Sequence, residues 1–387
     1  MTERTLFIQP RDPAIFRDGK PFTQGLPARS VDWPLPSAII GAIRTRLGRN
    51  TGYDADAVSR LLRIEHFGPF LAARGRKGLT LAFPAPADAV AFEARKTPQG
   101  GRQLELCPLR PARLNAGEGV DLPREPEGLL PLLGGRDQKP AGSPPFWSAS
   151  ATLDWLKDPG ASPRFRAVED LGFSALPRQR RIHLEIESAT QAARKGALFA
   201  TEGLEFPDRI RIAEEDSERW EDLEPKICSR IRYQDGEDWP GFESLAPLGG
   251  ERRMANWSET GIDWPGPPDW LAGQALVRLQ LVTPGFFDGG WIPNWLLNGH
   301  PPGIEDMQLK LIAAAVPRAV AHSGWDFTRR GANSQKATRF LAPAGSVYFC
   351  ELLQGDARRL WMRSICDDSQ AGRDGFGLVL CGVWQWL

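Results

Sequence analysis

The sequence predicts an α+β protein of two domains, and three observations carry that prediction. The chain has 387 residues, enough for two domains with substantial cores. Short β-prone runs recur along its length, several alternating apolar and polar residues at period two, with fewer helical stretches between them. In the C-terminal third the order is strand, helix, two strands, a further strand and helix, then a strand. That order is compatible with a βαββαβ unit plus decoration.

Leu6, Phe7 and Ile8 form the first strand, near 4–8, which ends at Pro10. A loop with Arg11, Arg17, Lys20 and Arg29 leads to a helix over 37–48, opening near Ser37. Ile39, Ile40, Ile43 and Leu47 make one apolar stripe on it. Ser37, Gly41 and Arg44 stand at i, i+4 and i+7, on a second stripe beside the first. A helix start suits a phosphate, a glycine admits close approach and an arginine can fork onto phosphate oxygens. The same residues also suit plainer roles: an N-cap, a packing point and a solvated charge. A second helix is expected near 54–63 and strands near 67–73 and 79–83. The first 49 residues carry eight bases against four acids, an excess that fits an anion-facing surface or a solvated face.

Residues 95–148 hold nine prolines and eight glycines, which forbid a long helix or a central strand. They read as a partly ordered insertion able to touch a neighbouring subunit. A helix near 150–157 restores regularity. Arg178, Arg180 and Arg181 then lead into an alternating strand, Ile182 to Glu187, with His183, Glu185 and Glu187 on its outer face. Ala197 begins the return strand, so this is a hairpin with Arg194 and Lys195 near its tip. Residues 213–224 carry seven acids and one base, which suits a solvated face or a basic partner. The second domain opens near Gln274 with a strand over 275–281. A helical turn follows near 291–297, then strands near 307–315 and 318–323. Arg329, Arg330, Lys336 and Arg339 lie on a loop without acids. A strand over 346–353, a helix near 355–365 and a strand over 378–384 complete the chain.

Composition narrows the function classes. The 48 basic and 48 acidic residues cancel, so only local patches can speak for nucleic acid. Five cysteines without a CxxC pair suit neither a disulfide framework nor a zinc ribbon. No apolar run approaches membrane-spanning length and no h-region opens the chain, so a cytoplasmic location is expected. Four histidines (His66, His183, His300, His322) offer no clear acid–base pair for metal-independent RNA cleavage. Asp367-Asp368 reads as a helix-end loop rather than a magnesium site, and no Walker A, H-E-x-x-H or G-x-S-x-G motif occurs. The turns at Gly249-Gly250, Gly345-Ser346 and Gly375-Phe376-Gly377 are ordinary singly; together, with Arg252, they could form N–H nests for phosphates. Six tryptophans between Trp239 and Trp295 suit core or interface packing more than base stacking.

Two stretches carry a resemblance: Arg11-Asp12-Pro13-Ala14-Ile15-Phe16-Arg17-Asp18-Gly19, and Pro34-Leu35-Pro36-Ser37 running to Gly41-Ala42-Ile43-Arg44-Thr45. They resemble the RAMP superfamily of CRISPR proteins, and within it most closely the third subunit of the type III-B (Cmr) effector complex. The likeness recurs in chain order at Arg181-Ile182-His183 to Phe199, Leu248 to Arg252, Pro343 to Tyr348 and Gly375 to Leu380. The resemblance implies two ferredoxin-like (RRM-like) βαββαβ domains with long insertions. The first would span 1–273, with the insertion at 95–148 and a basic hairpin at 178–204; the second would span 274–387. It implies a non-catalytic subunit, without cofactor or metal, that holds the repeat-derived 5′ tag of a crRNA. Its partners would be the large polymerase-like subunit and the backbone RAMP subunits, with target RNA met indirectly. The expected RNA-binding residues are Arg11, Arg17, Ser37, Gly41, Arg44, Arg181, His183, Arg194, Lys195, Gly249, Gly250, Arg252, Lys336, Arg339, Gly375 and Gly377. The alternatives are the equivalent type III-A subunit and a repeat-processing endoribonuclease.

Overall fold

The computed structural model describes residues 1–17, 30–49, 54–75, 78–94, 101–123, 128–158, 160, 165–214, 217–237, 239–324 and 336–387. Apolar runs at period two build its first sheet. The strands are β1 (Thr2–Pro10), β2 (Glu65–Gly75), β3 (Gly78–Pro84), β4 (Phe146–Ser148), β5 (Gly172–Phe173), β8 (Lys226–Tyr233), β9 (Ser244–Pro247) and β10 (Met254–Glu259). They lie in the order β5-β4-β3-β2-β8-β1-β10-β9, each neighbour antiparallel. Between β5 and β8 stands a separate hairpin, β6 (Arg178–Ile186) with β7 (Ala193–Leu204).

The second sheet comprises β11 (Leu276–Leu281), β12 (Gln308–Ala315), β13 (Val347–Gln354) and β14 (Val379–Val383), in the order β12-β13-β11-β14. Its neighbours too are antiparallel. Among its described residues the 95–148 insertion holds short strands at 103–108, 110–111 and 132–133, with β4 at its end, as its prolines and glycines require.

Alternation gives the first sheet two apolar faces. Leu6, Ile8, Ile227 and Ile231 meet Ile39, Ile40, Ile43 and Leu47 of helix α1 (Pro36–Gly48) and Leu61 of helix α2 (Ala55–Leu62). Phe7, Phe70, Leu81 and Phe83 point the other way, against Val277, Leu279, Cys350 and Cys381 of the second sheet. The second sheet therefore shares a core with the first. Helix α3 (Ala149–Lys157) adds Leu156 to that core.

The structure departs from the expected elements at three places. Helix α1 starts at Pro36, and Leu35 at its N-cap offers no side-chain bond, so Ser37 is not the cap. Proline at the first helical position needs no amide partner and already has a helical φ. The helix expected over 355–365 is only a 3₁₀ turn, Ala357–Leu360, with the short helix α4 (Ser369–Arg373) following later. Asp356 receives Arg358 N–H at 2.9 Å, and the chain then turns away at Met362, where φ is +55°. Third, the outer part of the β6–β7 hairpin is not buried: Ile182, Leu184, Ile186 and Leu198 are all exposed, while Ala200, Thr201 and Leu204 toward its root are buried. No second layer covers its apolar side, so alternation there marks a protruding ribbon rather than a half-buried strand.

His66 lies at the seam between the two sheets, almost fully buried. Its Nδ1 donates to the Asp374 carbonyl at 2.9 Å, which fixes the neutral tautomer, and its Nε2 accepts from the Ser229 hydroxyl at 3.1 Å. Burial pushes the imidazole from 6.5 down to about 4, with nearby Arg44 adding to the effect and the Asp374 carbonyl and carboxylate opposing it. The folded chain thus binds this proton later than the unfolded chain. The associated stability is complete above pH 6.5 and is lost as pH falls toward 4, by about 3 kcal/mol. Thermal melts across that window should show His66→Asn flattening the pH dependence. An unchanged pH profile in the variant would refute the role.

Candidate nucleic-acid interface

Three stretches far apart in sequence meet around the loop after β1. That loop leaves the sheet with Arg11 N–H on the Met254 carbonyl at 2.9 Å, beside β10. Ala14 then exchanges two backbone hydrogen bonds of 2.8 Å with Leu204, at the root of the hairpin. Gly203 faces Pro13 so closely that an added Cβ would sit 2.8 Å from the proline ring. Gly250 N–H donates to the Ile15 carbonyl at 2.7 Å, and a Cβ on Gly249 would meet that oxygen at 2.6 Å. Gly249 is thus a packing requirement for docking one turn onto another, whereas a Cβ on Gly250 would come no closer than 3.4 Å to Ile15. Arg178, at the start of β6, donates to the Ser30 carbonyl at 2.9 Å and pairs with Asp32 and Glu202. It anchors the hairpin. The sequence marked Arg178 as basic, but its two carboxylate partners lie far off in the chain.

Arg11, Arg17 and Arg252 are exposed around this junction, and none has an ion pair among the described residues. Glu251, the adjacent acid, is taken by Arg253 at 3.1 Å. The turn holding Arg252 is strained: Glu251 and Arg252 both stand in the left-handed region, at φ +56° and +51°. Such a residue costs about 1–2 kcal/mol without a compensating contact, and strain of this kind collects at functional sites. Arg252→Gly should therefore raise folding stability by about 1 kcal/mol while weakening anion binding. Paired urea unfolding and binding measurements test it; a change of the same sign in both would sink the idea.

The hairpin adds Arg180 and Arg181, both exposed, the latter bonded to Gln179 at 2.5 Å. His183 stacks on Phe199 with ring centres 5.0 Å apart and bonds to the Thr201 hydroxyl at 3.0 Å. Arg194 pairs with Glu185 at 2.9 Å. Lys195 lies at the start of β7, its side chain outside the described residues.

The other expected residues go elsewhere. Arg44 turns away from Ser37 and Gly41: its Nε donates to the Leu61 carbonyl at 2.9 Å and its Nη1 meets Asp374 at 2.7 Å. The i, i+7 spacing put it on the right stripe, but its long side chain reaches the exposed carbonyls closing α2 and a carboxylate from the second half. Gly41 is not a packing point, since a Cβ there would meet nothing within 4 Å. Gly375 and Gly377 are internal. An added Cβ would reach His66 Nδ1 at 2.7 Å and Cys366 Sγ at 2.5 Å respectively. The N–H groups of Gly250, Gly345, Gly375 and Gly377 all donate to chain carbonyls, so the three turns are not open phosphate nests. Lys336 and Arg339 are exposed on the second half, Arg339 lying 4.5 Å over the Phe286 ring. Lys20, Arg29, Arg329 and Arg330 fall outside the described residues.

Asp367 accepts N–H groups of Asp288 and Asn294, and Asp368 caps α4. Trp239 and Trp257 are buried, while Trp264, Trp270, Trp291 and Trp295 pack against the shared core.

Residues 6–384 match the sequence profile of a CRISPR-associated protein family (Cas_Cmr3). The chain belongs to that family. The expected resemblance holds at that level. The fold is similar to a chain in the cryo-EM structure of the Type III-B Cmr-beta bound to cognate target RNA and AMPPnP, state 1. Identity there is 16%, the TM-score 0.47, and the match covers 89% of this chain and 86% of that one. A chain of the Type III-B Cmr-beta bound to cognate target RNA matches at 15% identity and the same TM-score and coverage. No curated protein matches the chain significantly in sequence.

Proposed function

We propose that this family member is the non-catalytic crRNA-binding subunit of a type III-B effector complex. In this reading it holds the repeat-derived 5′ tag and bridges the large polymerase-like subunit to the backbone RAMP subunits. One observation carries the RNA-binding part. The Arg11–Arg17 loop, the root of the basic hairpin and the Gly249–Arg252 turn converge, leaving Arg11, Arg17 and Arg252 exposed without ion pairs. Unpaired arginines around one junction suit the phosphates of a single strand, and exposed hairpin side chains suit unstacked bases. Both sheets carry the order 4-1-3-2 in chain rank, β10-β1-β8-β2 and β14-β11-β13-β12, which supports a ferredoxin-like reading of each half with reduced crossover helices.

The histidines support a binding rather than a cleaving role. His66 is buried and bonded on both nitrogens, and His183 is held by Phe199 and Thr201. The test is to sequence the RNA that co-purifies with the complex and to incubate the purified protein with repeat RNA. A shared repeat-derived 5′ end and an uncut repeat are expected. RNA without a common 5′ end would overturn tag binding, and cleavage abolished by His183→Ala would overturn the non-catalytic role.

A further inference from the structure

A pocket of about 330 Å³ opens at the seam between the two halves, away from the junction described above. The α2 side supplies Ala55, Val58, Ser59, Leu62 and Arg63, and α4 supplies Gln370 and Arg373. Groups that would ordinarily engage these arginines are already taken. The carbonyls closing α2 are capped from elsewhere: Arg44 takes Leu61 and Ile64, and Gln370 takes Leu62. Asp374, the acid beside Arg373, is drawn to Arg44 at 2.7 Å and to Gln370 at 2.8 Å. Arg63 is exposed with no ion pair among the described residues, and Arg373 has only long bonds of 3.3 and 3.4 Å to Gln370. Arg44, Arg63 and Arg373 thus stand about a seam whose nearby carboxylates are already engaged, Asp374 by Arg44 and Gln370, Asp368 as the cap of α4 and Asp54 as the cap of α2. Arg63 is not needed as a helix cap, and Arg373 is not needed to balance Asp374.

We propose that this pocket is a second anion site, which takes a backbone phosphate of the bound RNA between Arg63 and Arg373, with the Ser59 hydroxyl as a further donor. The proposal rests on the RNA-binding reading above. Two guanidinium groups in a shallow cleft suit a single phosphodiester better than a deep small-molecule site. The apolar wall of Ala55, Val58 and Leu62 leaves room for the adjoining sugar. Because the seam joins both halves, a strand seated there would run from the first half onto the second.

The test uses a synthetic single-stranded RNA with the co-purifying 5′ sequence, bound to the full chain over a series of salt concentrations. Arg63→Gln combined with Arg373→Gln should weaken binding at least tenfold and flatten the log–log salt slope by about 0.7, the loss of one phosphate contact. The thermal midpoint should hold, since neither arginine has a carboxylate partner among the described residues. Arg63→Lys with Arg373→Lys should keep the slope, which separates loss of charge from misfolding. An unchanged affinity and slope in the Gln variant, while the Arg11, Arg17 and Arg252 variants lose both, would overturn the pocket and leave the main interface standing. A Gln variant that retains RNA but sheds a partner subunit would assign the pocket to a protein carboxylate instead. Wild-type protein without RNA affinity would overturn both readings.

Discussion

Asp88→Ala is expected to lower unfolding free energy by about 3–5 kcal/mol, the cost of leaving a buried charge unpaired. Asp88 is wholly buried and pairs with Arg278, itself 1% exposed, so the pair joins the first half to β11 of the second. The same carboxylate accepts the Trp155 indole N–H at 2.8 Å, and Arg278 donates to the Trp155 carbonyl. Burial pulls the Arg278 guanidinium below its ordinary value, and Asp88 opposes that pull. Removing the aspartate leaves that buried cation without its ion-pair partner, held by the Trp155 carbonyl and ring and by the more distant Asp158. Asp88→Leu with Arg278→Met should cost much less than Asp88→Ala, because no bare charge remains. Urea unfolding of the two variants and the unaltered protein measures both effects. A loss below 1 kcal/mol for Asp88→Ala would show that water reaches the site and that the pair is not the tie between the halves.

The second large effect concerns the interface. Replacing Arg11, Arg17 and Arg252 together by glutamine should flatten the log–log salt dependence of RNA binding by about 2, at roughly 0.7 per phosphate contact. Each charge-assisted contact is worth about 1.5–3 kcal/mol, so affinity should fall about tenfold or more per arginine. Stability should change little, because none of the three has an ion pair among the described residues. Equal losses at all salt concentrations, with an unaltered slope, would mean that these arginines shape the loop rather than meet phosphates.

Local pattern was enough for much of the architecture. The runs at 4–8, 67–73, 79–83, 346–353 and 378–384 all became strands, and the Ile39, Ile40, Ile43, Leu47 stripe became the buried face of α1. The hairpin and its basic start were legible as well, because period-two alternation and a polar turn act over a few residues. The family resemblance was equally legible, because contiguous short strings carried it.

Only the tertiary structure decided which of those motif residues remain available to a ligand. Arg44 and Gly41 share a helix stripe, yet one is spent on α2 and Asp374 while the other faces open space. Gly375 and Gly249 look alike as turn glycines, yet one is pressed against His66 and the other against Ile15 beside the exposed Arg252. Asp88 and Arg278 carry no sequence signal, since 190 residues separate them. The physical reason is common to all of these. Strand and helix follow from the period of neighbouring side chains. The fate of an arginine or a glycine depends on which carboxylate, carbonyl or side chain the fold carries to it from a distant part of the chain.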